Sequence, residues 1–179
     1  MTNITADEHH LWIVLHQVYN LMLKCEEIAS SKAGLSREKY DVLMAIKFYN
    51  VVEETEVIET NLARVLYRST NSISTIVDRM EAEGLIGKLR DLPDRRAIRL
   101  VVTPKAEKIL QKAAKPYLEL IKRLCSVYTL KDLKSTIEAM EKLKKKATDE
   151  SGLKKYRGEA DLNNYPKMVE FLVQLNERD

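Results

Sequence analysis

The stretch LARVLYRSTNSISTIVDRMEAEGLIGKLRDLPDRRAIRLVVT, from Leu62 to Thr103, decides the fold of this chain. Its middle part predicts a helix, because four apolar residues recur at a spacing that places them on one helix face. They are Ile73, Ile76, Val77 and Met80. Gly84 follows the last turn, at the position where a left-handed residue commonly ends a helix.

A β-hairpin is predicted directly after this helix. Leu85 to Arg90 and Ile98 to Thr103 read as strands, and the connection Asp91-Leu92-Pro93-Asp94 has the composition of a turn. The hairpin carries Arg90, Arg95, Arg96 and Arg99. The major groove of DNA accepts a helix with short polar side chains, and a basic hairpin can reach the flanking backbone or the minor groove.

This stretch resembles the winged helix-turn-helix of the MarR family of bacterial transcription regulators. The resemblance lies in Leu62-Ala63-Arg64, in Val77 to Glu81 with Gly84-Leu85-Ile86, and in the wing from Asp91 to Ala97, which continues to Thr103. It implies a mainly α fold with a small β-wing, in which the winged domain is flanked by N- and C-terminal dimerisation helices. It also implies a homodimer that binds double-stranded DNA, and a repressor that a small ligand releases.

The composition suits one compact subunit. Apolar residues make up 45 % and charged residues 32 % of the 179 residues, and the net charge is only +3. Binding to nucleic acid must therefore come from local clusters of charge. No apolar run approaches the ~20 residues that span a membrane, and the N-terminus lacks the pattern of a signal peptide. We expect a cytoplasmic protein.

We expect a single subunit over residues 1–179, with the winged domain at 36–103 and dimerisation helices and a tail at 5–34 and 104–179. Helix starts are predicted at a capping box formed by Thr5 and Glu8, and at Ser36, Thr103 and Thr129. Pro104 suits the first turn of its helix, and Pro116 predicts a kink inside the same helix. A loop with four glutamates, Glu53, Glu54, Glu56 and Glu59, is expected at the solvated surface.

The terminal helices carry apolar stripes that the winged domain alone is too small to cover. In the last long helix we expect an inward face made of Leu133, Ile137, Met140, Leu143 and Ala147. A polar linker follows from Ser151 to Asn164. The tail then has a short apolar face made of Met168, Phe171, Leu172 and Leu175, for which the partner subunit is the first choice of binding surface.

The predicted DNA contacts divide between the helix and the wing. Four helix residues are candidates for reading bases: Ser69, Ser72, Thr75 and Arg79. Three others are expected to cap the helix or to contact phosphate: Thr70, Asn71 and Ser74. In the wing, Arg90, Arg95 and Arg96 face the DNA, and Asp94 holds one of the last two arginines. Asp78 is expected to pair with an arginine of the wing or of the preceding helix.

The ligand expectation rests on the resemblance alone. A pocket between the dimerisation helices and the winged domain can be lined by His16, Tyr19 and Tyr40. We expect no metal and no cofactor: His9, His10 and His16 form no local ligand set with the neighbouring acidic residues. The chain also lacks a phosphate-binding loop, a nucleophile elbow and paired cysteines, which argues against an enzyme.

Two alternatives remain open. Cys25 and Cys125 can make the protein an oxidant sensor, as in some relatives of the family, although both lie in apolar stripes, where buried thiols are inert. The winged fold can also serve as a protein-interaction module without DNA. The clustered Arg95, Arg96 and Arg99 argue against that alternative.

Overall fold

The computed structural model describes residues 3–94, 96–152 and 165–176. These residues form seven α-helices, one π-helical turn and one two-stranded sheet. The helices are α1 (Ala6–Ser31), α2 (Arg37–Lys47), α3 (Glu59–Val65), α4 (Thr70–Ala82), α5 (Pro104–Cys125), α6 (Leu130–Glu150) and α7 (Tyr165–Asn176). The strands are β1 (Ile86–Leu89) and β2 (Arg99–Val102), and the π-helical turn is Phe48–Val52. The predicted mainly helical fold with a small β-wing is confirmed.

The predicted helix starts are confirmed by their caps. Thr5 and Glu8 form a capping box at α1, and the Ser36 hydroxyl accepts a hydrogen bond from the third residue of α2. The same geometry recurs at Thr103 and Thr129. Each hydroxyl satisfies a backbone N–H that the helix itself leaves without a partner. Helix starts are local features, and the local sequence therefore predicts them.

The core lies in the winged domain, where the apolar faces of α2, α3, α4, the wing and the start of α5 meet. The predicted stripe of α4 is buried: Ile73, Val77 and Met80 are 0 % exposed and Ile76 is 3 % exposed. The side chains packed around it include Leu43, Ile46, Leu62, Ile86, Leu100 and Leu110. This burial fixes α4 with its opposite, polar face turned outward.

The wing is an antiparallel hairpin in which Ile86 pairs with Val102 and Leu89 pairs with Arg99. Its free edge is tied back to the domain, because the Leu100 N–H donates to the Val57 carbonyl over 2.8 Å. Thr103 joins the wing to the next helix. Its N–H donates to the Leu85 carbonyl, and its hydroxyl both donates to the Gly84 carbonyl over 2.8 Å and caps α5.

Two local features lie within the winged domain. Gly84 has φ +70°, which confirms the expected left-handed end after α4. At its C-terminal end α2 passes into the π-helical turn, which the sequence did not predict. The expected acidic loop follows, and its glutamates lie at the surface except Glu59, which is half-buried as the first residue of α3.

The terminal helices present their apolar faces to solvent in the single subunit. On α1, Leu11, Val18 and Leu21 are exposed, and no residue of α6 is buried. The predicted inward face of α6 is therefore wrong for one subunit: Ile137, Met140, Leu143 and Ala147 are exposed and Leu133 is half-buried. The reason is that α6 lies against too little of its own chain to cover a stripe. α5 runs through Pro116 as one helix.

The tail packs on its own subunit, which corrects the expectation of a partner subunit. In α7, Phe171 and Leu172 belong to the core, and the Lys47 ammonium lies 5.6 Å from the centre of the Phe171 ring. The side chains of Met168 and Leu175 and most of the predicted linker lie outside the described residues; only Ser151 and Gly152 are described, as a turn. In the described part of the chain, no helix has the length and apolar character needed to cross a bilayer.

The two cysteines are less buried than predicted. Cys25 is half-buried and Cys125, the last residue of α5, is exposed. Cys25 lies on α1, whose apolar stripe is largely exposed in one subunit, and Cys125 lies at the end of α5, where Ile121 and Leu124 are exposed as well. Membership of a stripe therefore did not mean burial.

Candidate DNA-binding interface

The outward face of α4 carries the residues predicted to contact DNA. Six are exposed and Ser74 is half-buried; the exposed residues are Ser69, Thr70, Asn71, Ser72, Thr75 and Arg79. The helix is capped by Ser69, whose hydroxyl accepts from the Ser72 N–H over 3.2 Å, and not by Thr70, Asn71 or Ser74 as expected. Ser69 has the extended backbone that a capping residue needs, whereas Thr70 is already the first helical residue.

Two side chains of this face, those of Thr75 and Arg79, bind backbone carbonyls of the preceding helical turn. The Thr75 hydroxyl donates to the Asn71 carbonyl over 3.0 Å, and Arg79 Nε donates to the Thr75 carbonyl over 3.3 Å. Bonds to the preceding turn restrict both side chains, and they leave the remaining guanidinium nitrogens of Arg79 directed away from that turn. The face can therefore present short hydroxyls and one guanidinium to base edges.

A carboxylate that the sequence analysis did not single out lies beside this face. Glu38, in the first turn of α2, accepts from Arg68 Nη1 over 2.6 Å, and its other oxygen lies 3.9 Å from Arg79 Nη2. Its neighbour Lys39 binds Glu83 just beyond the end of α4 over 2.6 Å. The first turn of α2 thus contacts both ends of α4. No local spacing signals these pairs, because they join residues far apart in the chain.

The wing has its own internal ion pair. Arg99 Nε donates to Asp91 Oδ1 over 2.9 Å, and a second guanidinium nitrogen binds the other oxygen of that carboxylate. These bonds lower the pKa of Asp91. Arg99 is therefore held along the hairpin, and the sequence analysis had counted it among the free charges of the wing.

At the tip of the wing, the Asp94 carboxylate accepts a hydrogen bond from the backbone N–H of Arg96 over 2.9 Å. This bond shapes the turn, which is a common use of Asp in turns. The side chains of Arg90 and Arg96 are exposed. Arg95 lies outside the described residues, so the predicted pairing of Asp94 with an arginine side chain stays a prediction.

Asp78 pairs with a lysine and not with the expected arginine. Its carboxylate binds Lys88 of β1, and the same ammonium lies 3.1 Å from Glu81 Oε2. These two carboxylates raise the pKa of Lys88, with the hydrogen bond to Asp78 as the main cause. The hairpin folds back on α4 so that β1, and not the arginine-rich tip, lies beside Asp78. The pair fixes the wing to α4.

An apolar cavity of about 180 Å³ lies between α2, the end of α3, α5 and α7. It is lined by Tyr40, Asp41, Met44, Ala45, Phe48, Val65, Leu66, Tyr117 and Leu172. Tyr40 is therefore at a cavity wall, as predicted. His16 and Tyr19 are not: both are exposed on α1, and the His16 ring packs on Trp12 of the same helix with 4.4 Å between ring centres. The turn of α1 on which they lie faces solvent in one subunit.

Two polar groups at this largely apolar cavity are shielded from solvent: Tyr40 is buried and Asp41 is half-buried. The Tyr40 ring packs on Tyr117 with 4.6 Å between centres, and its buried hydroxyl has no hydrogen-bond partner in the part of the chain that is described. Burial raises the pKa of Tyr40. Burial also raises the pKa of Asp41 to about 6, although Arg37 Nη1 lies 2.9 Å from that carboxylate and opposes the shift. A neutral ligand suits such a wall better than an anion, because Asp41 and the nearby Glu26 are both acidic.

Within residues 3–94, 96–152 and 165–176, no group of three or more His, Cys, Asp or Glu side chains is placed to hold a metal ion.

Comparisons with known proteins agree with this geometry. The MarR family model matches residues 35–98. YpoP of Bacillus subtilis, an uncharacterized HTH-type transcriptional regulator, is 30% identical over 112 residues, which are 63% of this chain and 76% of YpoP.

Solved structures share the fold. AbsC, a MarR family regulator from Streptomyces coelicolor, has a TM-score of 0.75 at 19% identity and covers 83% of this chain and 99% of its own. The MepR–DNA complex of S. aureus has a TM-score of 0.67 at 15% identity, with 75% and 96% covered. The organohalide-sensing regulator RdhR, bound to 2,4-dichlorophenol, has a TM-score of 0.66 at 25% identity, with 81% and 85% covered. The family match and the B. subtilis relative show that this chain belongs to the MarR family of transcription regulators, which are winged-helix DNA-binding proteins and not enzymes.

Proposed function

We propose that this protein is a homodimeric repressor that binds a near-palindromic operator and is released from it by a small ligand. The observation that carries the proposal is the α4 face: its apolar side is fixed in the core, and its outer side presents exposed hydroxyls and Arg79 next to a wing with exposed arginines. Such a regulator acts in the cytoplasm, where a bacterial chromosome lies.

The exposed apolar stripes of the terminal helices support the homodimer. Leu11, Val18 and Leu21 of α1 and Ile137 of α6 remain uncovered by the single chain. A second copy that covers them forms a symmetric dimer, in which a two-fold axis relates the two α4 helices. Each helix can then read half of a palindrome. Sedimentation equilibrium at micromolar protein should give twice the mass of one chain. A folded species of 20.7 kDa would contradict the dimer.

Base reading and backbone contact are assigned to different parts of the interface. We infer that Thr75 and Arg79 read bases in the major groove, and that Arg96 contacts phosphates or the minor groove. Arg95 has the same proposed role as Arg96. Asp94 shapes the tip that presents them, and its bond to the Arg96 N–H supports this.

Titrations on operator and scrambled duplexes at several salt concentrations test this division. The operator is first located by nuclease protection of the DNA that flanks the protein's own gene. Arg79→Ala or Thr75→Ala should weaken operator binding more than random binding, by ~1–3 kcal/mol if a base contact is lost. Arg96→Ala should weaken both duplexes alike and lower the salt slope by about one. Asp94→Ala should weaken both, although it removes a negative charge.

The opposite outcomes discriminate against the proposal. If Asp94→Ala tightens binding, Asp94 does not organise the tip. If the wing variants leave both affinities unchanged, the wing does not contact DNA. Failure of the wild-type protein to shift any duplex, together with capture of a protein partner, would favour the interaction-module alternative.

For the ligand, we propose a small neutral aromatic molecule with a hydrogen-bonding oxygen, bound at the cavity of Tyr40. Three features support this: the apolar lining, the volume of about 180 Å³ and the unpaired Tyr40 hydroxyl. An engineered cavity of ~150 Å³ binds benzene, so the size suits one ring. RdhR was solved with 2,4-dichlorophenol, a molecule of this class.

Calorimetric titration with 2,4-dichlorophenol and with benzoate tests this choice. The phenol should bind and release the operator, and Tyr40→Phe should weaken its binding. Benzoate should bind more weakly, because its charge meets Asp41 and Glu26. Equal binding of both to the wild type and to Tyr40→Phe would contradict the proposed site.

A further inference from the structure

The first turn of α2 connects three parts of the subunit. Arg37 Nη1 lies 2.9 Å from Asp41 at the cavity and 3.9 Å from Glu26 of α1. Lys39 binds Glu83, beyond the end of α4. Glu38, which lies between them in the chain, faces Arg68 just before α4 and Arg79 in the last turn of α4. Three consecutive charged residues therefore have three different sets of partners.

Glu38 lies between Arg79 of the DNA-binding face and Arg68, which precedes that face in the chain. Arg68, which binds one of its oxygens over 2.6 Å, directly precedes the helix cap Ser69. Arg79, whose Nη2 lies 3.9 Å from the other oxygen, is in the last turn of α4. One carboxylate thus faces two guanidinium groups, one from the residue that precedes the cap of α4 and one from α4 itself, the helix expected in the major groove.

This arrangement affects specific and non-specific binding differently. An arginine free to rotate loses side-chain entropy when it takes one bound geometry, and a carboxylate that already holds it reduces that loss. An unneutralised arginine also attracts phosphates of any sequence. A carboxylate beside both arginines should therefore favour the one geometry that reads bases and reduce the attraction to random DNA.

We propose that Glu38 is a positioning residue for sequence specificity: it holds Arg79 in place for base reading and limits the sequence-independent attraction of Arg68 and Arg79 to phosphate. The inference rests on the proposed function, in which Arg79 reads a base. It adds a residue of α2, outside both the recognition helix and the wing, to those that determine which sequence is bound.

The test compares Glu38→Gln with the wild type on operator and random duplexes. The ratio of operator affinity to random affinity should fall by about two- to fivefold, as the loss of an exposed ion pair allows. The salt slope on random DNA should rise by about one, because one more cation is free to displace counterions. In an Arg79→Ala background, Glu38→Gln should no longer change the ratio.

The matched control is Glu83→Gln. It removes the same charge and also breaks an ion pair between α2 and the α4 end, but its partner is Lys39 and not an arginine of the DNA-binding face. It should leave the affinity ratio unchanged. Glu38→Asp, which keeps the charge on a shorter side chain, should retain part of the ratio, and it replaces Glu38→Gln in the test if thermal melting shows that the latter does not fold.

An unchanged ratio for Glu38→Gln, or an equal loss in Glu83→Gln, overturns the inference. Persistence of the Glu38→Gln effect in the Arg79→Ala background overturns it as well. These outcomes differ from a failure of the proposed function, in which the wild-type protein itself would show no preference for the operator.

Discussion

The apolar stripes of α4 and α1 have the same helical spacing but different surroundings. Ile73, Val77 and Met80 of α4 are 0 % exposed, whereas Leu11 and Leu21 of α1 are 55 % and 66 % exposed. Periodicity therefore identifies the apolar face of a helix and does not say what covers it. In α4 the cover is the subunit's own core, and in α1 we propose that it is a second copy.

A charged residue in the α1 stripe gives the strongest test of whether a second copy covers it. Leu21→Lys should weaken dimerisation by about 3–6 kcal/mol per dimer, which is twice the value of burying one leucine. The dimer dissociation constant should rise at least about a hundredfold. Sedimentation over a dilution series measures it. An unchanged constant would mean that this face of α1 is not the interface.

The matching change in α4 removes core volume. Met80→Ala should lower the free energy of unfolding by about 2–5 kcal/mol, because Met80 is fully buried and the cavity left behind collapses only in part. Urea unfolding of variant and wild type at equal protein concentration gives the value. The dimer dissociation constant should stay unchanged. A large rise in it would show that the α4 stripe also contributes to dimerisation.

Asp41 belongs to α2 and lies at the wall of the Tyr40 cavity, and burial raises its pKa from 3.8 to about 6. Below both values the carboxyl is protonated in the folded and unfolded states. Between them the unfolded chain ionises first, so stability falls as the pH rises, and above about pH 6 the loss is complete. A shift of about two units corresponds to up to about 3 kcal/mol.

Asp41→Asn should remove the loss of stability that ionisation of the Asp41 carboxyl causes as the pH rises. The variant should be more stable than the wild type by up to about 3 kcal/mol at pH 7.5, with a smaller advantage at pH 4.5. Urea unfolding at both values checks it. A constant difference between the two pH values would show that Asp41 ionises in the folded protein as it does in water.

The tail is a third case, in which an apolar face near the end of the chain is covered by the chain itself. Deletion of residues 165–179 exposes the surface under Phe171 and Leu172 and should lower the free energy of unfolding by about 1–3 kcal/mol, less than the sum for two buried side chains because ordering a short helix costs entropy. Phe171→Ala in the full chain is the control and should give part of this loss. An unchanged melting temperature for both variants would show that α7 contributes no stability.

The smallest expected effect concerns Cys25 and Cys125, which belong to α1 and α5 and not to the α4 face or the wing. We expect Cys25→Ser with Cys125→Ser to bind operator as the wild type does, and peroxide to release neither protein. The exposure of Cys125 makes this test more informative than burial of both thiols would have made it. If peroxide releases only the wild type, the protein senses oxidants.

The sequence predicted features that depend on neighbouring residues, such as the capping box of Thr5 and Glu8, the buried stripe of α4 and the left-handed Gly84. It did not predict features that depend on which distant segments meet. The choice of Lys88 as partner of Asp78, the contact of Glu38 with Arg68, and the docking of α7 on its own subunit are of this kind. Charged side chains are common, and their spacing in the chain does not determine their partners in space.

For the DNA contacts, the sequence identified the face of α4 and the wing but did not show which charges are already paired. Arg99 is bound to Asp91 within the hairpin, whereas Arg79 lies beside Glu38. Which arginine meets phosphate and which meets a base depends on these pairings.

Thr103 has a consequence for anyone who recombines parts of this protein. Its backbone and hydroxyl bind the Leu85 and Gly84 carbonyls at the base of the wing, and the hydroxyl also caps α5 by accepting from the Ala106 N–H. Thr103 is the one residue between β2 and α5, so no spare residue lies between the two elements. The wing and α5 are therefore not interchangeable modules. A chimera that takes its wing from another regulator should exchange at least the whole block from Gly84 to Ala106. Its two junctions should lie in α4, before Gly84, and in α5, after Ala106.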